Sequence, residues 1–339
     1  MTKATKAEER RLAQLLLIGF QGPEPGEGFW KFLETTPPGG VLLFKQNITG
    51  QDQLLALLQK IQRVGTSGGG SGLLVGIDQE GGRVARLTGD VGFPVFPSAK
   101  AIAEGPDPQT DAAHAARVTA KGLRELGVNM NFAPVLDVVT DPGNRVIGDR
   151  SFGSDPALVT RLGLAAIHAM QNEGVAATAK HFPGHGPTSV DSHLDLPRID
   201  ASREEMEAIH LRPFHAAVEA GVAAIMTAHA VYPALDPEAP ATLSYPVLTG
   251  ILRDEWGFEG VITTDSLTMQ AIARRHTVSE ACVLAFDAGA DLLMVPASPS
   301  LQRECLGALC QAYAQGRISE DRLAASLARL DRMRRAFHP

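Results

Sequence analysis

A chain of 339 residues with 44% apolar and 20% charged side chains has the composition of a soluble globular protein with a sizeable core. Its formal charge of −7 and the lack of any basic cluster argue against a nucleic-acid partner, which needs a positive stripe facing phosphate. Cys282, Cys305 and Cys310 are odd in number and sit in helix-like sequence, which implies no disulfide framework and suits a reducing compartment.

Near the N-terminus acids are mixed with bases, and the apolar run 15–20 is too short for a signal-peptide core or a membrane span. No membrane partner is expected, and the cytoplasm is the default location. Further short apolar runs follow at 41–44, 73–78, 128–132, 175–180, 222–227, 261–265 and 291–295. Most are continuously apolar, as expected of parallel strands covered on both faces. Helical periodicity fills the gaps at 51–64, 111–126, 156–173, 203–220, 279–288 and 301–315. Asp155-Pro156 offers a capping side chain and a first-turn proline. Gly127, Gly174, Gly221 and Gly289 follow helical stretches, where a left-handed residue closes a helix.

Eight strand-then-helix units without a second compositional regime predict an α/β fold, a (β/α)8 TIM barrel in a single domain over residues 1–339. A doubly wound sheet is the alternative. The Gly-rich patch 65–72 reads as a loop on the face away from the chemistry, although a domain linker has the same composition. Residues 319–337 read as a C-terminal helix packed outside the barrel. The sequence carries no signal for an oligomeric state.

In such barrels catalytic groups collect at the C-terminal ends of the strands. Asp78-Gln79-Glu80-Gly81-Gly82-Arg83 through Arg86 follows the third run, and Asp137, Asn144 and Asp149-Arg150-Ser151 follow the fourth. Lys180-His181 ends the fifth, His229 follows the sixth, and Thr264-Asp265-Ser266 ends the seventh. One face thereby gathers carboxylates, imidazoles, arginines and a lysine from five separate segments.

Residues 180–193 are the densest of these, with three histidines, a lysine, an aspartate, two glycines and two prolines. A core segment would have to pair each polar group. Asp191 and His193 alternate around a small residue, so an extended backbone points both the same way. A carboxylate beside an imidazole favours the protonated ring and suits proton transfer, although a buried structural Asp–His bond has the same pattern. Asp265 follows a β-branched strand that would hold it rigidly at the mouth. Followed by Ser-Leu-Thr-Met, it also fits a helix N-cap.

Lys180-His181-Phe182-Pro183-Gly184-His185-Gly186, with Asp191-Ser192-His193 four residues on, resembles the signature of glycoside hydrolase family 3, in its β-N-acetylglucosaminidase branch. Asp78-Gln79-Glu80-Gly81-Gly82-Arg83-Val84, residues 131–138 and Thr264-Asp265-Ser266-Leu267 are similar to that branch in the same order. The resemblance implies a retaining exo-acting β-N-acetylglucosaminidase that needs no cofactor, takes a small carbohydrate substrate and removes terminal N-acetylglucosamine, with cell-wall fragments as its source. It implies no second, C-terminal sandwich domain, as in the short members of the family. By the same resemblance Asp265 is the nucleophile, His193 the general acid/base, and Asp191 its partner. An imidazole then takes the place of the second carboxylate usual in retaining enzymes. Asp78, Arg86, Arg150, Lys180 and His181 are implied as sugar-binding residues, and Gly184 and Gly186 as the flanks that let the loop swing.

Other polar residues read as structural. Glu80 and Arg83 are expected to form an ion pair bracing the Gly-Gly turn, and His185 to satisfy backbone groups of its loop. His229 reads equally as a support behind the site or a core histidine. Met226 and Met269 read as packing. Three rival functions share these residues. A metal-dependent barrel hydrolase would use His181, His185, His193 and Asp265 as ligands, but the first strand supplies no His-x-His pair. A phosphorylase would use the same nucleophile with phosphate replacing water. A non-catalytic sugar-binding protein would leave Asp265 and the Asp191/His193 pair without a role.

Overall fold

The eight apolar runs become eight parallel strands in a computed structural model that describes residues 4–67, 72–188 and 196–338. They are β1 (Leu16–Ile18), β2 (Gly40–Leu43), β3 (Leu74–Ile77), β4 (Met130–Asn131), β5 (Ala176–Phe182), β6 (Ala224–Thr227), β7 (Val261–Thr263) and β8 (Leu293–Val295). Consecutive strands pair from β1 through β7, and β8 pairs with β1 in the register Leu16↔Leu293. A bridge between Thr263 and Leu292 joins β7 to β8 and closes the ring. Every residue of the eight strands is buried, because the ring packs inward and the helices cover it outside.

Most strands are shorter than the apolar runs, and β4 keeps only two residues. Side-chain amides there take over ladder bonds. Asn129 accepts from Val75 N at 2.7 Å and donates to Leu73 O at 3.1 Å. Asn131 accepts from Gln79 N and donates to Gln79 O, both at 2.9 Å, which splices the end of β3 to β4.

Outer helices run at Gln51–Gly65, Pro108–Glu125, Pro156–Asn172, Val278–Ala288 and Pro299–Ala314, within a few residues of the periodic stretches. Asp155 caps the third of these by accepting from Ala157 N, with Pro156 in the first turn. Gly127, Gly174 and Gly221 all take positive φ between a helix and the next strand. Residues 203–220 differ from one continuous α-helix: a π-helical turn, Met206–His210, interrupts them and brings His210 beneath the loop that follows β5. Helix Glu320–Ala336 packs outside through buried Leu323, Leu330 and Met333. Cys282, Cys305 and Cys310 carry free thiols. No described helix is long and apolar enough to cross a membrane.

Candidate active site

A cleft of about 490 Å³ opens at the C-terminal end of the ring and is lined by Asp78, Arg86, Arg150, Lys180, His181 and Asp265. They reach it from strand ends and the loops that follow them. Asp78 follows β3, Arg150 closes a short 3-10 turn in the loop after β4, and Lys180 and His181 sit near the end of β5, joined by a cis peptide. Arg86 is placed by Gln79, whose amide accepts from Arg86 N and Leu87 N and donates to Leu87 O. That amide ties down the hairpin of Gln79–Gly81 and Val84–Ala85. Gly81 and Gly82 turn it with φ of +99° and +53°, a conformation that L side chains rarely adopt.

Asp265 is not a helix cap: the next helix, Gln270–Ala273, starts five residues on with Met269 as its N-cap. Its own carboxylate accepts from Ser266 N at 2.7 Å. Just before it, the Thr264 hydroxyl accepts from Met294 N at 2.9 Å and ends the β7–β8 contact. Behind it, His229 Nε2 donates to Ser266 O at 2.9 Å while Nδ1 faces the Thr242 hydroxyl at 2.7 Å. His229 therefore supports the segment carrying Asp265, one of the two readings open from sequence. Burial pushes the Asp265 carboxyl up, but the facing His229 and His181 and the Ser266 N–H outweigh it and hold it below its ordinary value. Asp265 is ionised at neutral pH.

The charged residues form one connected network. Lys180 Nζ lies 2.8 Å from Asp78 Oδ1 and 2.6 Å from Glu80 Oε1. Arg150 holds Glu80 with two parallel bonds, at 2.9 and 2.8 Å, and Arg86 lies 3.0 Å from Asp78. The expected Glu80–Arg83 pair does not form. Arg83 instead binds Asp149 at 2.7 Å and the carbonyls of Arg145, Val146 and Ile147, because its side chain points across the hairpin towards the loop after β4.

Asp137, placed on the mouth face from sequence but given no role there, organises the base of the β5 loop. Fully buried, it faces His181 Nδ1 at 2.8 Å and accepts from the main-chain N–H of His181 and His185 at 3.2 and 2.6 Å. This fixes a proton on His181 Nδ1 and turns Nε2 towards Arg150 Nη2 at 3.5 Å. Asn144 adds bonds to the carbonyls of His185 and Gly186 at 2.8 and 3.2 Å. Asp137 ends an apolar segment, and a buried carboxylate there was the one available signal.

One expectation for this loop is overturned. His185 does not satisfy backbone groups through its ring: among the described residues neither ring nitrogen has a partner, and the bond is made by its main chain. Gly184 and Gly186, expected as flanks that let the loop swing, are closely packed in this structure. A Cβ on Gly186 would stand 1.7 Å from Val138 O, and one on Gly184 2.9 Å from His210 Cβ. These glycines permit close packing. Asp191 and His193 lie outside the described residues.

The chain matches the sequence profile of the glycosyl hydrolase family 3 N terminal domain over residues 8–333. It is 36% identical over 317 residues to β-hexosaminidase A of Pseudoalteromonas piscicida, covering 87% of this chain and 53% of that protein. It is 39% identical over 281 residues to a β-hexosaminidase of Tolumonas auensis, covering 82% and 81%. Its fold is similar to that of a glycoside hydrolase family 3 β-N-acetylglucosaminidase from Paenibacillus sp. str. FPU-7, with a TM-score of 0.94, 42% identity, and coverage of 97% of this chain and 62% of that one. The chain thus spans about half the length of the Pseudoalteromonas protein. A closed eight-stranded barrel and a profile match along almost its whole length make this chain a member of glycoside hydrolase family 3.

Proposed function

We propose that the chain is a retaining, exo-acting β-N-acetylglucosaminidase that removes terminal N-acetylglucosamine from β-linked glycans. One observation carries the reading: an ionised Asp265 lines the same cleft as Asp78, Arg86, Arg150 and Lys180. Carboxylates accept from pyranose hydroxyls and cations donate to them, so this set suits a sugar whose anomeric carbon faces Asp265. The named activities of the relatives point the same way.

In the first step an Asp265 oxygen bonds to the anomeric carbon as the glycosidic C–O bond breaks, and the leaving oxygen takes a proton from His193. In the second, water adds to the anomeric carbon and gives its proton to His193 while the Asp265–sugar bond breaks. The resemblance assigns these roles to His193 and to Asp191 beside it. An imidazole titrating near neutrality serves both directions. The substrate class we infer is cytoplasmic fragments of peptidoglycan.

The test is release of N-acetylglucosamine from an aryl N-acetyl-β-glucosaminide, set against an aryl glucoside, with and without phosphate. Free sugar in both buffers is expected; sugar 1-phosphate in phosphate buffer would replace hydrolysis by phosphorolysis. Asp265→Ala should lower turnover by at least about 10⁴-fold while sugar still binds. Near-normal rates would end the nucleophile assignment.

A further inference from the structure

We propose that Glu80 is a positioning residue for sugar binding, whose buried carboxylate decides which N–H donors of Arg150 and Lys180 are left for the substrate. The inference rests on the carbohydrate site proposed above and assigns a role to a residue that does not line the cleft.

A guanidinium has five N–H donors and an ammonium three. In Arg150, Nε and Nη2 donate to Glu80 at 2.9 and 2.8 Å, Nη1 donates to Val146 O at 3.2 Å, and Nη2 also faces His181 Nε2 at 3.5 Å. Among the described residues no partner takes the second Nη1 proton, on a side chain that lines the cleft. Lys180 spends one donor on Asp78 and one on Glu80, which among the same residues again leaves one. Glu80 thereby holds two like charges side by side, each with a single free donor in a set direction.

Glu80 itself is not among the residues lining the cleft and instead lines a small cavity whose wall includes Ala99, Ile102, Ala112 and Phe152. Its side chain is 6% exposed, against 19% for Asp78. In such apolar surroundings the ion pairs are screened little by water. Burial raises the Glu80 carboxyl, and Lys180 and Arg150 outweigh that and bring it down to about 2, so it stays charged at any working pH.

Without this charge, Arg150 and Lys180 would lose the carboxylate they share, and Asp78 is the strongest negative neighbour left to both. Asp78 is the carboxylate that lines the cleft and can accept from sugar hydroxyls. Arg86 and Lys180 already hold Asp78, and drawing Arg150 onto it as a third cation would use up those acceptor positions and turn both free donors away.

The experiment measures N-acetylglucosamine binding by calorimetry, steady-state kinetics on the aryl glycoside, and the thermal midpoint, for wild type, Glu80→Gln, Arg150→Gln and the double variant. Glu80→Gln should raise Kd and KM at least about tenfold, with kcat falling by a smaller factor. The double variant should lose less than the product of the single losses, because Glu80 acts through Arg150. Kd and KM within twofold of wild type, or losses that multiply independently, would overturn the proposal. Should Glu80→Gln not fold, Glu80→Asp, which keeps the charge one methylene short, carries the same measurements. Wild-type chain that binds sugar without cleaving the glycoside would end the hydrolase reading and leave the Glu80 test standing.

Discussion

His185 is 3% exposed and its ring makes no hydrogen bond among the described residues. Burial lowers the imidazole to about 4; Asp137 opposes the shift, and His181 and Arg150 add to it. The unfolded chain accepts a proton on this residue near pH ~6.5, well before the folded one does. The resulting stability is complete above that pH and is lost as pH falls through about 4, a linkage of up to roughly 3 kcal/mol. Wild type should therefore lose about 2 kcal/mol more than His185→Leu between about pH 7 and about pH 4.5 in urea titrations. Parallel curves for the two proteins would mean that acid acts elsewhere. At the same scale Glu80 teaches that an acid can be silent in sequence yet central in space. Its local neighbour Arg83 was the obvious partner, and the real ones lie 70 and 100 positions away.

The loop after β5 acts as an element with a fixed base. Asp137 and Asn144 hold it from one side and His210 packs on it from the other, while the Tyr232 hydroxyl donates to Gly184 O at 2.8 Å. Gly186→Ala would drive a methyl into Val138 O, a backbone atom that cannot step aside as a flexible side chain can. We expect a loss of about 1–3 kcal/mol in urea unfolding, with a fall in kcat/KM on the aryl glycoside. Unchanged stability and rate would show that the segment already moves freely. The phrase Gly-His-Gly suggests a hinge to a reader of sequence, because it reveals glycine's freedom and hides the contact that requires glycine.

The whole molecule is tied together at the opposite end of the barrel by Asp291, which is fully buried at the start of β8. It accepts from Arg253 at 2.5 Å, Ser326 at 2.6 Å, Ile262 N at 3.0 Å, Arg329 at 3.2 Å and Arg322 at 3.3 Å. The bonds from Arg322, Ser326 and Arg329 bring the C-terminal helix onto the ring close to the Thr263–Leu292 bridge that closes it. One carboxylate here serves three guanidinium groups, and burial lowers Arg253 to about 10 despite Asp291. Asp291→Asn would strand this positive charge and should cost about 3–5 kcal/mol in urea unfolding. A loss below about 1 kcal/mol would mean that the apolar face and the helix's other bonds, such as Arg11–Glu320 and Arg334–Gln14, hold it without Asp291.

Eight apolar runs, most of them continuous and spaced by periodic helices, determined a parallel α/β sheet, because a strand buried on both faces has few other sequences open to it. Closure of the ring rather than a doubly wound sheet was decided by the structure. The polar residues at the strand ends likewise marked the mouth, since a barrel carries such groups to one face whatever their partners. Pairing was decided only by the closed tertiary structure. Long charged side chains choose by distance in space, and the neighbours of Glu80, Asp137, Gly186 and Asp291 come from strands and loops that meet only once the ring has closed.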